Sequence, residues 1–351
     1  MDTIVQRVNP EYFQDKELEK ACQILQSGGL VAFPTETVYG LGGNALLEEA
    51  SHKIYTAKGR PSDNPLIVHI ADMDGLYDVA DKISEKALAL AEAFWPGPLT
   101  MIFEKKEKVP LSTTGGLSTV AVRMPSHPVA AELIRQSGVY IAAPSANTSG
   151  RPSPTKAEHV IEDLQGKIDM ILDGGAVGIG IESTIVDMSG EKPMILRPGY
   201  ITKVMMEEVI GEVDVDKAIL SMEPKTNIVA KAPGMKYRHY APKGKLAIVE
   251  GDIDSVVAKI NQLTELHEKE HVKAAVIATE ESKRLYQCKN VYSIGSRKSE
   301  GSIAAGLYDI LRLMDQIGAE YIYAESFSED TLGHAIMNRL FKAAGYHRIQ
   351  V

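Results

Sequence analysis

The order of apolar runs changes along this chain of 351 residues, and that change restricts the fold more than any other feature. After residue 245, short apolar runs such as KLAIVE, AAVIAT and YIYAES alternate with longer segments of helical periodicity at 253–268 and 303–317. This alternation indicates a parallel, doubly wound sheet, because each crossover between parallel strands needs a long connection. The sequence therefore predicts a smaller, Rossmann-like parallel-sheet domain at the C-terminus, over residues 245–351.

The first part of the chain has a different pattern. Short β-rich runs outnumber helices and turn signals are dense; LVAF (30–33), for example, is a short buried strand that Pro34 stops. Residues 1–205 are therefore predicted to form an N-terminal α/β domain with a strongly twisted, mixed sheet. Between the two domains the pattern weakens and Pro and Lys accumulate, which predicts an interdomain linker over residues 206–244.

Composition and charge limit the class of protein. Hydrophobic residues make up 44% of the chain and charged residues 24%, which is the balance of a folded globular protein. A formal net charge of -9 argues against a dedicated RNA-binding module, because such modules are usually basic. The sequence has no signal-peptide core and no apolar run of bilayer length, so we expect a cytoplasmic protein without membrane contact. Cys22 and Cys288 lie far apart and form no CxxC pair, so we expect no disulfide between them.

Five polar clusters lie at predicted strand ends or in adjacent loops of the first domain. Each combines a Gly or Pro turn with hydroxyl, amide or guanidinium groups. Glycine lets backbone NH groups approach a ligand closely, and fixed cations neutralise it, so this combination suits a polyphosphate site. The clusters are PTETVYGLGG (34–43), KGRPSDNP (58–65) with the following His69, VAVRMP (120–125), PSANTSG (144–150), and IESTIVD (181–187) with LRPG (196–199).

Several other sites are excluded or left open by the same residues. There is no GxxxxGK[ST] phosphate loop, GLGGNA lacks the acidic residue of a dinucleotide fingerprint, and no Asp or His partner can be assigned to Ser145 or Ser183. The histidines lack metal-ligand spacing, so no protein-bound metal is predicted. By themselves Lys58 and Arg60 could be a solvated charge pair, and His69 could be a satisfied core residue.

Taken together, the five clusters resemble the YrdC-like domain in their order and approximate spacing, over residues 1 to about 205. The linker sequence GMKYRHYAP (234–242) and the α/β domain after it are similar to the two-domain form of the threonylcarbamoyl-AMP synthase family. This resemblance implies an enzyme, a nucleotidyltransferase that converts L-threonine, bicarbonate and ATP into threonylcarbamoyl-AMP and pyrophosphate. A tRNA-modifying threonylcarbamoyl transferase machinery would then use the product at position 37 of tRNA.

The resemblance also implies roles for individual residues. Threonine would be held by Thr37, His69, Arg123 and Ser183, with backbone around Ala143. ATP would be held by Lys58, Arg60, Asn64, Thr119, Ser145, Asn147, Ser153, Arg197 and, from the linker, Tyr240. Catalysis would come from positioning and charge, chiefly through Lys58, Arg60 and Arg123, with Mg²⁺ bound mainly through the ATP phosphates.

One alternative of a different class stays open at this point. A concave basic surface could grip double-stranded RNA or tRNA directly, without turnover, although the net charge weighs against it. The second domain carries no phosphate fingerprint, and we expect it to cover the cleft of the first domain together with the linker.

Overall fold

The computed structural model describes residues 2–220, 232, 240–328 and 331–351, and their strands form two separate sheets. The motif residues 234–239 and the rest of the predicted linker between 221 and 239, apart from Ala232, lie outside the described residues. Within the described chain, no helix has the length and apolar character needed to cross a bilayer.

The first sheet has twelve strands within the described residues, and it is mixed, as the sequence predicts. The strands are β1 (Ile4–Arg7), β2 (Val31–Phe33), β3 (Gly40–Asn44), β4 (Ile67–His69), β5 (Ala80–Asp81), β6 (Leu99–Lys105), β7 (Thr119–Arg123), β8 (Ile141–Ala143), β9 (Met170–Asp173), β10 (Thr184–Asp187), β11 (Met194–Arg197) and β12 (Asp214–Val215). Their order is β1-β9-β2-β3-β8-β4-β7-β6-β10-β11-β12. Strand β5 lies outside this order and pairs antiparallel with the C-terminal end of β6, at Glu104 and Lys105.

Helices pack against both faces of this sheet. They are α1 (Glu19–Gln26), α2 (Glu48–Lys58), α3 (Met73–Val79), α4 (Glu85–Phe94), α5 (Pro128–Ser137), α6 (Ala157–Leu164), α7 (Lys203–Ile210) and α8 (Lys217–Leu220), with a short 3₁₀ turn at Asp15–Glu17. Strand β2 is fully buried because it has a core on each side: Ala32 faces one apolar cluster, and Val31 and Phe33 face the other.

The register of the three central strands β4, β7 and β6 sets polar residues side by side on one face of the sheet. Parallel pairing of β4 with β7 sets His69 opposite Arg123, and antiparallel pairing of β7 with β6 sets Arg123 opposite Thr100. Residues directly opposite each other on neighbouring strands point to the same face of a sheet. The fold therefore aligns three polar side chains that are far apart in sequence.

The second sheet is parallel, which agrees with the predicted doubly wound domain. Its strands are β13 (Lys245–Glu250), β14 (Ala274–Ala278), β15 (Val291–Ser293), β16 (Tyr321–Glu325) and β17 (Arg348–Gln350), in the order β15-β14-β16-β13-β17. All its pairings are parallel. Its helices are α9 (Ile253–Lys269), α10 (Glu300–Gln316) and α11 (Gly333–Ala343), with a 3₁₀ turn at Lys283–Leu285.

The two sheets are joined by an apolar and ionic interface. Val38 and Ile181, from loops of the first sheet, belong to the apolar cluster that α10 and α11 form with the second sheet. The predicted boundary at residue 205 falls within α7, and β12 of the predicted linker pairs with β11. The boundary remains a prediction, but residues 206–215 pack with the first sheet.

Candidate active site

A cleft opens beside the aligned strands, among the loops of the first sheet, and Tyr240 of the linker also lines it. The loop after β2, the end of α2 and the segment after β8 form its walls, and Tyr240 lies at its edge. Most of the predicted site residues line it: Thr37, Lys58, Arg60, His69, Arg123, Ala143, Ser145, Asn147, Ser153, Ser183, Arg197 and Tyr240.

The guanidinium of Arg123 is held by Thr37 and Glu36, and its Nε has no hydrogen-bond partner among the described residues. Its Nη1 donates to Thr37 Oγ1 at 2.9 Å, and the two hydroxyls of Thr37 and Thr35 are 2.9 Å apart. Thr35 gives its hydrogen to Val38 O, so Thr37 donates to Thr35 and accepts from Arg123. Arg123 Nη2 forms an ion pair with Glu36, 2.7 Å from Oε1, whereas Nε has no hydrogen-bond partner within the part of the chain that the structure describes.

The Nε/Nη2 edge of the guanidinium, which Glu36 occupies only at Nη2, suits a ligand carboxylate. Nε and Nη2 form the planar fork that binds carboxylates through two parallel hydrogen bonds. Burial alone would raise the pKa of the Glu36 carboxyl, but the charge and hydrogen bonding of Arg123 lower it below its usual range. Arg123 therefore lines the cleft with Glu36 as an ionised neighbour, and a ligand carboxylate would share the guanidinium with it.

His69 is a buried, neutral group beside Arg123. It is 3% exposed, and burial, followed by the charge of Arg123, lowers its pKa to about 3. Its Nδ1 is 3.1 Å from Ile67 O, and because a carbonyl can only accept, Nδ1 carries the hydrogen. Nε2 is then an acceptor, which fits an ammonium or hydroxyl donor of a ligand.

The end of α2 presents two cations to the opposite wall. The helix ends at Lys58 because Gly59 adopts a left-handed conformation with φ of 61°, which turns Arg60 back toward the cleft. Lys58 Nζ donates to the carbonyls of Ser145 and Asn147, and an ammonium has a third hydrogen available for a ligand. Burial, then the charge of Arg60, lowers the pKa of Lys58 well below its ordinary value, and a bound anion would raise it again.

Arg197 and Ser183 form a third polar group in the cleft. Arg197 Nε donates to Ser183 O at 3.0 Å and its Nη2 to Ser183 Oγ at 3.1 Å. Ser183 Oγ also lies 2.8 Å from Thr100 Oγ1, which is the third member of the aligned row on β4, β7 and β6. The row and Arg197, the last residue of β11, therefore meet at the hydroxyl of Ser183.

Comparison with other proteins gives the family. A family model described as "Telomere recombination" matches residues 23–199, and one described as "Threonylcarbamoyl-AMP synthase, C-terminal domain" matches residues 201–345. The threonylcarbamoyl-AMP synthase of Bacillus subtilis is 50% identical over 332 residues, which is 94% of each chain. That of Pyrococcus abyssi is 49% identical over 341 residues, or 97% of this chain and 98% of the relative.

The chain belongs to the threonylcarbamoyl-AMP synthase family. A crystal structure described as P. abyssi Sua5 complexed with L-threonine superposes with a TM-score of 0.94 at 48% identity, and covers 99% of this chain and 100% of the other. The two-domain α/β architecture predicted from the sequence is therefore confirmed, and so is the resemblance on which it was based.

Two of the residues predicted for ATP do not line the cleft of this family member. Asn64 is buried next to it, and its backbone oxygen accepts from Arg60 Nε at 3.4 Å. Thr119 lies at the far end of β7 from Arg123, in a separate depression beside Glu104. The roles of both in binding ATP remain predictions.

The structure adds residues that sequence reasoning missed. Glu182 lines the cleft and accepts hydrogen bonds from Ser153 Oγ at 2.6 Å and from Tyr308 of α10 at 2.7 Å. Arg339 of α11 donates to it through Nε at 3.1 Å. Glu182 stands within the motif IESTIVD and could have been singled out there, whereas its two partners come from another domain and carry no local signal.

Proposed function

We propose that this protein forms threonylcarbamoyl-AMP from L-threonine, bicarbonate and ATP, releasing pyrophosphate and water. The observation that carries the proposal is the buried guanidinium of Arg123, whose Nε has no partner among the described residues, in the same cleft as the cationic end of α2. One wall suits an amino acid and the other suits polyphosphate, which is the pair of ligands that the reaction joins.

On the threonine side, the carboxylate would bind the fork of Arg123, and the hydroxyl or ammonium group would donate to His69 Nε2. The backbone at Ala143 and the hydroxyls of Thr37 and Ser183 would complete the pocket. A polar partner for the threonine hydroxyl discriminates against valine, because a buried polar group left without a partner is costly. The uncharged amine then attacks bicarbonate, and loss of water gives the carbamate.

On the ATP side, the carbamate oxygen attacks the α-phosphate and pyrophosphate leaves. Both reactants are anions, so their repulsion has to be offset by fixed positive charge. Lys58, Arg60 and Arg197 would supply it, while Ser145, Asn147, Ser153 and Tyr240 would hold the nucleotide, with Asn64 and Thr119 as further predicted contacts. No protein nucleophile is needed, which agrees with a site built from cations, hydroxyls and one neutral imidazole.

Mg²⁺ fits this chemistry as a companion of ATP rather than as a resident metal. Within residues 2–220, 232, 240–328 and 331–351, no three His, Cys, Asp or Glu side chains gather as metal ligands. We propose that Mg²⁺ is held mainly by the phosphates, where it would neutralise charge on the leaving pyrophosphate.

The product is proposed to pass to the threonylcarbamoyl transferase machinery that modifies position 37 of tRNA, in the cytoplasm. Both cysteines are unpaired, Cys22 being buried, which suits a reducing compartment. Direct tRNA binding is not required for the proposed reaction. We also propose that the linker and second domain cover the cleft and retain the labile intermediate, because Tyr240 of the linker lines the cleft and packs against Tyr308 of α10.

The first test is pyrophosphate release from ATP and Mg²⁺, with threonine and bicarbonate omitted in turn. Release that requires both, with a new adenylate detected by rapid mass spectrometry, would support the synthase. Arg123→Ala should abolish the threonine-dependent release of pyrophosphate. Arg135→Ala, at an exposed arginine on α5, should leave that rate unchanged. A folded protein that binds RNA in a steeply salt-dependent way and releases no pyrophosphate would instead favour the RNA-binding alternative.

A further inference from the structure

Glu182 is a carboxylate shared between the cleft and the second domain. It is 6% exposed and lies in the loop before β10. Its Oε1 accepts from Ser153 Oγ at 2.6 Å, on the cleft side. Its Oε2 accepts from Tyr308 OH at 2.7 Å and Arg339 Nε at 3.1 Å, both from the second domain. One side chain thus connects a predicted ATP contact with two helices of the other domain.

Arg339 holds the surrounding backbone as well as the carboxylate. It is fully buried, and its Nη1 donates to Pro198 O at 2.5 Å. Pro198 directly follows Arg197, a predicted ATP contact. Burial opposes the charge of Arg339, but Glu182 and two nearby tyrosines raise its pKa above the ordinary value, so it remains cationic.

The charge state of Glu182 decides whether the hydroxyl of Ser153 donates or accepts their hydrogen bond. Burial would raise the pKa of Glu182, yet Arg339, Arg197 and the hydroxyl donors lower it to about 2. An ionised carboxylate can only accept hydrogen bonds, so the hydroxyl of Ser153 must donate to it. Ser153 therefore offers lone pairs, and no hydrogen, to a ligand in the cleft.

Tyr308 has a second contact with the nucleotide side. Its ring is 5.1 Å from that of Tyr240, with an angle of 31° between the rings, and Tyr240 lines the cleft. Offset aromatic pairs at this separation stabilise the orientation of both rings. The ring of Tyr308 thus supports Tyr240. Its hydroxyl supports Ser153 indirectly, through Glu182.

We propose that Tyr308 and Arg339 are positioning residues for the nucleotide subsite, acting through Glu182 on Ser153 and on the backbone beside Arg197. The second domain then completes the ATP site and is more than a cover. This inference depends on the proposed function for the identity of the nucleotide. It predicts a selective effect on ATP, because the Arg123 side of the cleft does not contact either residue.

The test is Tyr308→Phe, which removes the hydroxyl and retains the ring against Tyr240. We expect KM for ATP, and the Kd for ATP measured by calorimetry, to rise about tenfold, since a hydrogen bond to a charged group is lost. KM for threonine should stay within twofold. The matched control is Asp309→Asn, at the next residue of α10, which also contacts the first domain but does so through Lys156 and His159 instead of through Glu182. It should leave both KM values unchanged.

A double-variant cycle separates positioning from general destabilisation. If Tyr308 acts through Glu182 on Ser153, then Ser153→Ala combined with Tyr308→Phe should be little worse for ATP than the more damaging single change. Equal effects of Tyr308→Phe and Asp309→Asn, additive effects in the double variant, or parallel rises in both KM values would overturn the proposal.

Further measurements guard against other causes of failure. If Tyr308→Phe does not fold, as judged by thermal melting, Glu182→Gln of similar volume takes its place and must give the same selective rise. A wild-type protein without pyrophosphate release would count against the proposed function itself. In that case the ATP Kd values still test whether the second domain positions the nucleotide site.

Discussion

The burial of His69 makes the stability of the protein depend on pH in a predictable way. The imidazole is 3% exposed, and its pKa of about 3 in the folded protein lies below the ordinary 6.5 that it regains on unfolding. Below pH 6.5 the unfolded chain therefore binds a proton that the folded protein does not, so the folded state loses stability as the pH falls. The loss grows by roughly 1.4 kcal/mol per pH unit, or about 2 kcal/mol from pH 6.5 to pH 5, and levels off near pH 3.

Urea unfolding at pH 7 and pH 5 would measure this contribution in wild type and in His69→Gln, whose side chain hydrogen-bonds but does not titrate. We expect the wild type to lose about 2 kcal/mol more than the variant between these pH values. His52→Gln, at an exposed histidine of α2, is the matched control and should keep the wild-type pH dependence. An equal pH dependence in His69→Gln and wild type would refute the argument that His69 is buried and neutral.

Three further substitutions test other parts of the structure. Arg123→Lys replaces a planar fork by a single ammonium, so KM for threonine in the pyrophosphate assay should rise at least about tenfold while KM for ATP is retained. In the wild type, Arg312 lies 2.9 Å from the buried carboxylate of Asp163, and Arg312→Ala leaves that charge without one partner. Urea unfolding should show that the free energy of unfolding falls by about 3 kcal/mol. Gly199→Ala would set a Cβ 2.5 Å from a backbone nitrogen and should abolish ATP binding, whereas Gly178→Ala enters open space and should bind ATP normally in calorimetry.

Elements with a strong local signal could be predicted from the sequence. The helix predicted at 253–268 is observed as Ile253–Lys269, and the one predicted at 303–317 as Glu300–Gln316. The parallel second sheet follows from the same alternation of strands and helices. These elements are specified by periodicity and by turn residues close to them in sequence, so local reasoning is enough.

Other elements depend on contacts that local patterns do not contain. Helix α6 (Ala157–Leu164) was not predicted, because eight residues give few turns over which periodicity can be recognised. The strand Asp214–Val215 falls in the predicted linker and exists because it pairs with β11. Two-residue strands have no propensity signal of their own, so only the tertiary partner defines them.

The candidate site divides in the same way. Its motif residues could be chosen because Gly and Pro turns surround them, and the fold brings Thr37 to Arg123 across 86 positions. The partners of Glu182 lie 126 and 157 positions away, on helices whose sequence gives no reason to expect a polar contact. Buried polar residues on an otherwise apolar helix face are explained only when the facing domain is known.

The buried arginines between the domains also restrict how substrates can reach the cleft. Arg312 and Arg339 have no exposed side-chain surface, and their carboxylate partners Asp163 and Glu182 are buried with them. Parting the domains would break both ion pairs and rehydrate four charged groups, together with the apolar contacts around them. We therefore expect the spacing of the two sheets to stay constant through a catalytic cycle. ATP would then enter, and the product leave, at the edge of the cleft beside Tyr240, without a hinge motion between the domains.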